Sequence, residues 1–175
     1  MLRPKGKRYR VNVPRPYAKA PGDLVQTTVH VVDPWSKQGA YLYTLIDIYS
    51  RWTYVEYHEH ISQAVSLDFL RRGEQQAGFK FSTVQSDNGP EHGRWLNEQL
   101  KAKGITLRHS RVRKLNDNAH IERFNRTVQE EGLNHLFPDP DNIHSQLKSY
   151  RAYYNTERLH SSLQYRTPQE MLQRS

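Results

Sequence analysis

A mixed α/β fold, one five-stranded sheet with helices on both faces, is the architecture this sequence predicts. Three observations carry it. Three runs rich in β-branched and aromatic residues come first, at 24–33, 40–49 and 52–58. Apolar stripes of helical period then alternate with two short strand-like runs. The resulting order, βββαβαβ followed by further helices, suits a sheet covered on both sides. At 175 residues the chain has room for one domain with a substantial core.

The elements follow in turn. Leu24–Asp33, Ala40–Tyr49 and Trp52–His58 read as an antiparallel meander, with turn-like Pro34 to Gly39 and the tight Ser50-Arg51 as links. Ile61, Val65 and Phe69 recur at i, i+4 and i+8, predicting a helix that ends near Gly78. Phe81–Ser86 is a fourth strand. Pro90 opens a second helix with Trp95, Leu96 and Leu100 on its buried face. Gly104 closes that helix and Ile105–His109 is the fifth strand. Ile121, Phe124 and Val128 mark a third helix with Gly132 as its stop. Asp141 or Asn142 caps a fourth, with core face Ile143, Leu147, Tyr150 and Tyr154. Thr167-Pro168-Gln169-Glu170 has the form of a capping box and starts a last short helix.

Composition narrows the function. The chain has no cysteine, which excludes disulfides, thiolate zinc sites and a cysteine nucleophile. No apolar run reaches the roughly 20 residues of a membrane span, so a soluble, intracellular protein is expected. The formal net charge of +8 favours polyanionic partners, because neutralised phosphates release counterions. The stretch 1–20 holds Arg3, Lys5, Lys7, Arg8, Arg10, Arg15 and Lys19 with no acid and with prolines throughout. It reads as a basic extended arm or linker ahead of a core at 21–175.

Two segments carry chemistry. Gln85-Ser86-Asp87-Asn88-Gly89-Pro90-Glu91 joins a strand tip to a helix, and its Asn-Gly pair permits a sharp turn that leaves Asp87 exposed. On the third helix Asn118, Glu122 and Asn125 fall together, away from the apolar stripe and flanked by Arg123 and Arg126. Each segment alone suits an ordinary turn or solvated helix face. One helix-and-strand excursion separates them, so the chain can return and bring both carboxylates over one sheet edge. Carboxylate clusters of this kind hold divalent ions about 3.5–4 Å apart for phosphoryl transfer. The absence of cysteine and of tight histidine spacing argues against zinc.

Ser-Asp-Asn-Gly-Pro-Glu at 86–91, Asn-Asp-Asn-Ala-His-Ile-Glu-Arg-Phe-Asn at 116–125 and Tyr154-Asn155-Thr156-Glu157-Arg158-Leu159-His160-Ser161-Ser162-Leu163 together resemble the integrase catalytic core. The pattern is most similar to bacterial insertion-sequence transposases of the retroviral integrase superfamily. It extends to Pro21-Gly22-Asp23-Leu24 and to Leu45-Ile46-Asp47-Ile48-Tyr49-Ser50-Arg51. The resemblance implies a ribonuclease H-like fold and an Asp, Asp, Glu triad holding two Mg²⁺ or Mn²⁺ ions. It also implies DNA strand cleavage and strand transfer by a homodimer or larger assembly in the bacterial cytoplasm. Asp87 matches the second Asp and Glu122 the Glu. Lys114, Asn118, His120, Arg123 and Arg126 are the expected DNA contacts.

The first strand departs from the family. Thr28 stands where the first Asp is expected, so the site carries two negative charges in place of three. If Thr28 paired with Leu45 across the hairpin, Asp47 would lie on the same face as a compensating acid. A second departure is Leu159, where the family commonly has proline. Two functions follow from the resemblance: a transposase core weakened at Thr28, or a catalytically inactive, DNA-binding and oligomerising relative.

Overall fold

The computed structural model describes residues 17–31, 40–87, 89–110, 118–133 and 140–174. Strands β1 (Val25–Val31), β2 (Tyr41–Asp47) and β3 (Thr53–His58) come first, then helix α1 (Gln63–Ala77), β4 (Thr83–Ser86), α2 (Arg94–Ala102) and β5 (Thr106–His109). Helices α3 (Ala119–Thr127), α4 (Pro140–Thr156) and α5 (Pro168–Leu172) follow. The sheet order is β3-β2-β1-β4-β5. β1, β2 and β3 pair antiparallel, while β1–β4 and β4–β5 are parallel. Each parallel step needs a crossover, and α1 and α2 supply them.

Both faces of the sheet are dry, which explains why β2 is buried along nearly its whole length. Tyr43 and Leu45 face α1 and α2, packing with Phe69, Leu70, Leu96 and Leu100. Leu42 and Ile46 face the other way, against Ile121 and Phe124 of α3 and Ile143 and Leu147 of α4. The predicted mixed sheet with helices on both faces is therefore the observed one.

Helix boundaries follow local chemistry. Ser62 caps α1 by accepting from Val65 N at 3.2 Å, so Ile61 lies outside the helix and is 39% exposed instead of on its core face. Gly78, with φ 74°, ends α1 as expected. Pro90 opens only a single 3₁₀ turn, Pro90–His92, because Gly93 is extended and α2 restarts at Arg94. The restart changes the helical phase, so Leu96 and Leu100 are buried while Trp95, expected inside, is 42% exposed. Gly132 does not stop α3 directly; the helix widens into a π turn over Val128–Gly132, closed by Leu133 N donating to Val128 O at 3.0 Å. Asp141 and Asn142 lie inside α4, which begins at Pro140, and not at the position ahead of it that a cap takes. Thr167 and Glu170 form the expected reciprocal cap of α5.

Among the described residues no helix is long and apolar enough to cross a membrane. Residues 1–16 of the basic arm, together with Asp33, Asn88 and Lys114, lie outside the described residues.

Candidate active site

Parallel pairing of β1 with β4 sets Gln26 beside Gln85. Two residues further along both strands, on the same face, stand Thr28 and Asp87. The Thr28 hydroxyl donates to Asp87 Oδ2 at 2.9 Å. Asp87 Oδ1 accepts from Gly89 N at 3.2 Å and faces His92 Nδ1 at 3.1 Å. Burial by itself would raise the Asp87 carboxyl, but the donors from His92, Thr28 and Gly89 outweigh it and hold it below the usual carboxylate range.

His92 is 1% exposed, and its Nδ1 faces both carboxylates, Asp87 Oδ1 at 3.1 Å and Glu91 Oε1 at 3.5 Å. Glu91 is itself buried. Gly89 makes this possible, since a Cβ there would come within 2.2 Å of the Glu91 carboxylate. Asp87, Glu91 and His92 bring one ligand atom each within 4.8 Å of one another, a group of metal-ligand chemistry to which Glu122 does not belong. From the sequence, Glu91 belongs to the same segment as Asp87 and His92 lies near it, but neither is assigned a role at the Asp87 carboxylate. Their nearness in sequence was the available signal, but only the 3₁₀ turn folds them back onto the strand tip.

Helix α3 is docked across this face by amides. Gln26 Oε1 on β1 accepts from Ile121 N at 3.2 Å, and Gln85 Nε2 on β4 donates to Asn118 Oδ1 at 3.1 Å. Thr44 Oγ1 on β2 donates to Asn125 Oδ1 at 2.7 Å. Asn118 and Asn125 thus tie α3 to the strands on either side of β1. Glu122 lies between them on the same flank, with its side chain exposed. The helix therefore carries Glu122 on the sheet face that bears Thr28 and Asp87. His120, Arg123 and Arg126 are also exposed, and His120 Nδ1 lies 3.1 Å from a guanidinium nitrogen of Arg51.

The expected compensating acid is not on this face. The hairpin pairs Thr28 with Thr44, one residue from the anticipated partner, and Asp47 with Val25. A one-residue shift turns a side chain to the opposite side of the sheet. Asp47 points toward the α1/α2 core, fully buried, and accepts from Gly22 N at 2.9 Å and from Ser50 N and Oγ at 2.8 and 2.6 Å. Gly22 allows that contact with φ 81°, and a Cβ there would strike Lys80 O at 1.9 Å. Asp47 thus fastens the entry to β1 and the β2–β3 turn.

Comparison with known proteins gives a consistent result. Two family models described as integrase core domain match, one over residues 15–114 and one over 103–168. A protein of insertion element IS407 from Burkholderia multivorans is 37% identical over 89 residues, covering 50% of this chain and 32% of the relative. The match thus spans about a third of that curated relative's length. The HTLV-2 integrase catalytic core, solved in complex with magnesium in a trimeric form, superposes with TM-score 0.73 at 15% identity. That match covers 89% of this chain and 99% of the other. A simian T-cell lymphotropic virus intasome in complex with PP2A regulatory subunit B56 gamma gives TM-score 0.74 at 14% identity, over 91% and 58%. At such identities the likeness establishes the fold, the ribonuclease H-like one.

Proposed function

Because this chain belongs to the integrase core domain family, we propose that it is the core of a mobile-element transposase, acting in DNA integration and transposition, with a divalent-metal site impaired by Thr28. The observation that carries this reading is the Thr28–Asp87 hydrogen bond of 2.9 Å. It puts a neutral hydroxyl against the carboxylate at the tip of β4, where a second carboxylate would be shared with a metal ion.

The residues present suit a hard cation only in part. Asp87 keeps 40% of its side chain exposed and offers oxygen, and Glu122 is exposed on the facing helix. Thr28 contributes no charge, so Mg²⁺ or Mn²⁺ would be held there by one carboxylate fewer. Bound metal in such a site activates the attacking oxygen and stabilises the leaving one. In this reading Asp87 and Glu122 hold the metal, while His92 and Gly89 orient the Asp87 carboxylate. Lys114, His120, Arg123 and Arg126 meet DNA phosphates, and Asn118 and Asn125 fix the helix that presents Glu122. Residues 1–20 serve as a phosphate-contacting arm to a core at 21–175. The protein works on DNA as a homodimer or larger assembly in the bacterial cytoplasm.

One feature favours a second reading, a DNA-binding and oligomerising relative without catalysis. Thr28, His92 and Gly89 already satisfy the Asp87 carboxylate with protein donors. Calorimetric titration with Mn²⁺ of the parent beside Thr28→Asp separates the two. Weak binding by the parent with a gained site in the variant supports an impaired transposase core. No binding by either assigns the chain to the second reading, and equal tight binding by both refutes the impairment.

A further inference from the structure

Helix α3 has two chemically different flanks. Asn118, Glu122 and Asn125 occupy one; His120, Arg123 and Thr127, at i, i+3 and i+7, occupy the other. The second flank forms one wall of a cleft of about 360 Å³. Arg51 in the β2–β3 turn and Arg158 and His160 beyond α4 build the rest of it. Among the described residues no acid lines the cleft.

Its three arginines are not equally neutralised. Arg158 is held bidentately by Glu131, both contacts 2.8 Å. Arg51 and Arg123 form no ion pair among the described residues. Burial pushes the Arg51 guanidinium below its ordinary value and Arg123 adds to that, with Tyr154 and Asp47 opposing. Two cations face one cleft without a carboxylate between them, an arrangement that an anion stabilises.

The rim supplies a second, independent feature. Tyr165 is 73% exposed, and it follows Gln164 with both residues in the left-handed region, φ 58° and 57°. Consecutive non-glycine residues there are costly and occur where surrounding structure enforces them. Here the turn is closed by Tyr165 N donating to His160 O at 2.9 Å and by His160 N donating to Arg166 O at 3.1 Å. The strained turn holds a large aromatic ring in solvent at the mouth of a basic cleft.

We infer that this cleft is a binding site for unpaired nucleic acid, taking a phosphodiester between Arg51 and Arg123 with the adjoining base stacked on Tyr165. The inference deepens the proposed function by giving the protein a single-strand contact on the flank of α3 opposite Glu122. A stacking ring requires an open base face, which a frayed or displaced strand offers and a duplex does not.

Fluorescence anisotropy of a labelled oligothymidylate with the full chain tests it, using Arg123→Ala, Tyr165→Phe and Tyr165→Asn. Both positions are exposed, and asparagine tolerates the left-handed backbone. Arg123→Ala is expected to weaken binding about tenfold and to flatten the salt dependence by about 0.7 in log–log slope per lost phosphate contact. Tyr165→Asn is expected to weaken binding about tenfold at unchanged slope, while Tyr165→Phe stays at the parent value. Parent affinity in Tyr165→Asn overturns the inference, as does an equal loss in Tyr165→Phe. So does an equal loss by Tyr165→Asn toward a duplex of the same length, or displacement of the oligonucleotide by inorganic phosphate at matched phosphate concentration. Mn²⁺ titration of the same variants keeps the two readings apart. Failure of the cleft leaves metal binding intact, and failure of the metal site leaves the cleft's oligonucleotide affinity intact.

Discussion

Asn155 of α4 closes on Thr53 of β3 across 102 residues of sequence, accepting from Thr53 N at 2.9 Å and donating to Thr53 O at 2.9 Å. The side-chain amide takes the place of a neighbouring strand at the first residue of the edge strand. Both backbone groups are buried and would otherwise be unpaired. This gives the Tyr-Asn pair of the C-terminal motif a structural duty. Asn155→Ala should therefore lower stability by about 2–4 kcal/mol, since two buried backbone groups lose their partners. Chemical denaturation checks it, and a loss within about 0.5 kcal/mol, the scale of ordinary surface substitutions, refutes it.

Thr28→Asp should destabilise the protein in the presence of a chelator, because a donor to Asp87 is replaced by a like charge beside it. Added Mn²⁺ should then raise the melting temperature of the variant more than that of the parent. At a hundredfold excess over Kd, binding contributes about 2.7 kcal/mol. Thermal unfolding with and without metal reads this directly, and equal metal-induced shifts in both proteins count against the assignment.

Asp87→Asn and Glu122→Gln are each expected to weaken Mn²⁺ binding by tenfold or more while leaving the fold intact, as both side chains retain solvent exposure. Circular dichroism and calorimetry in parallel make the distinction. Unchanged affinity in both variants removes these residues from the metal site.

His160 introduces a pH dependence. Burial, with the Arg158 cation second, pushes its ring down to about 4 from the ordinary 6.5. The folded form therefore holds the ring neutral where the unfolded chain protonates it. Stability is full above pH 6.5 and falls as pH drops toward 4, at up to about 1.4 kcal/mol per pH unit. His30, also pushed to about 4 by burial, adds a slope of the same sign. Denaturant midpoints between pH 4 and 7 measure the sum, and His160→Gln should flatten it. An unaltered slope in that variant shows that His160 is not the source.

Deleting residues 1–20 should lower duplex affinity and reduce the slope of log K against log salt by about 0.9 for each phosphate the arm neutralises. A filter-binding or anisotropy series over salt concentration suffices. The same slope with and without the arm denies it a phosphate-binding role.

Much of the fold could be read locally. The order of elements, the apolar stripe Ile121, Phe124 and Val128, the Gly78 terminus and the Thr167–Glu170 cap all depend on residues within a turn or two of one another. The errors came where two nearby signals competed. Pro90 and the apolar residues after it read as one helix, but Gly93 broke the phase and turned Trp95 outward. Ser62 claimed the helix start, and Ile61 was left outside it.

By itself the sequence determined that this chain builds a covered mixed sheet, and that Asp87 and Glu122 sit on elements able to converge, because period, turn chemistry and capping are short-range properties. Only the tertiary structure decided the register. Thr28 faces Thr44 and Asp87, while Asp47 turns to the other side of the sheet. Register rests on the closure of Asp47 onto Gly22 and Ser50 and on Gln26 of β1, Thr44 of β2 and Gln85 of β4 gripping α3, most of them contacts between residues far apart in the chain. A shift of one residue leaves every local pattern unchanged yet moves a carboxylate from one face of the sheet to the other.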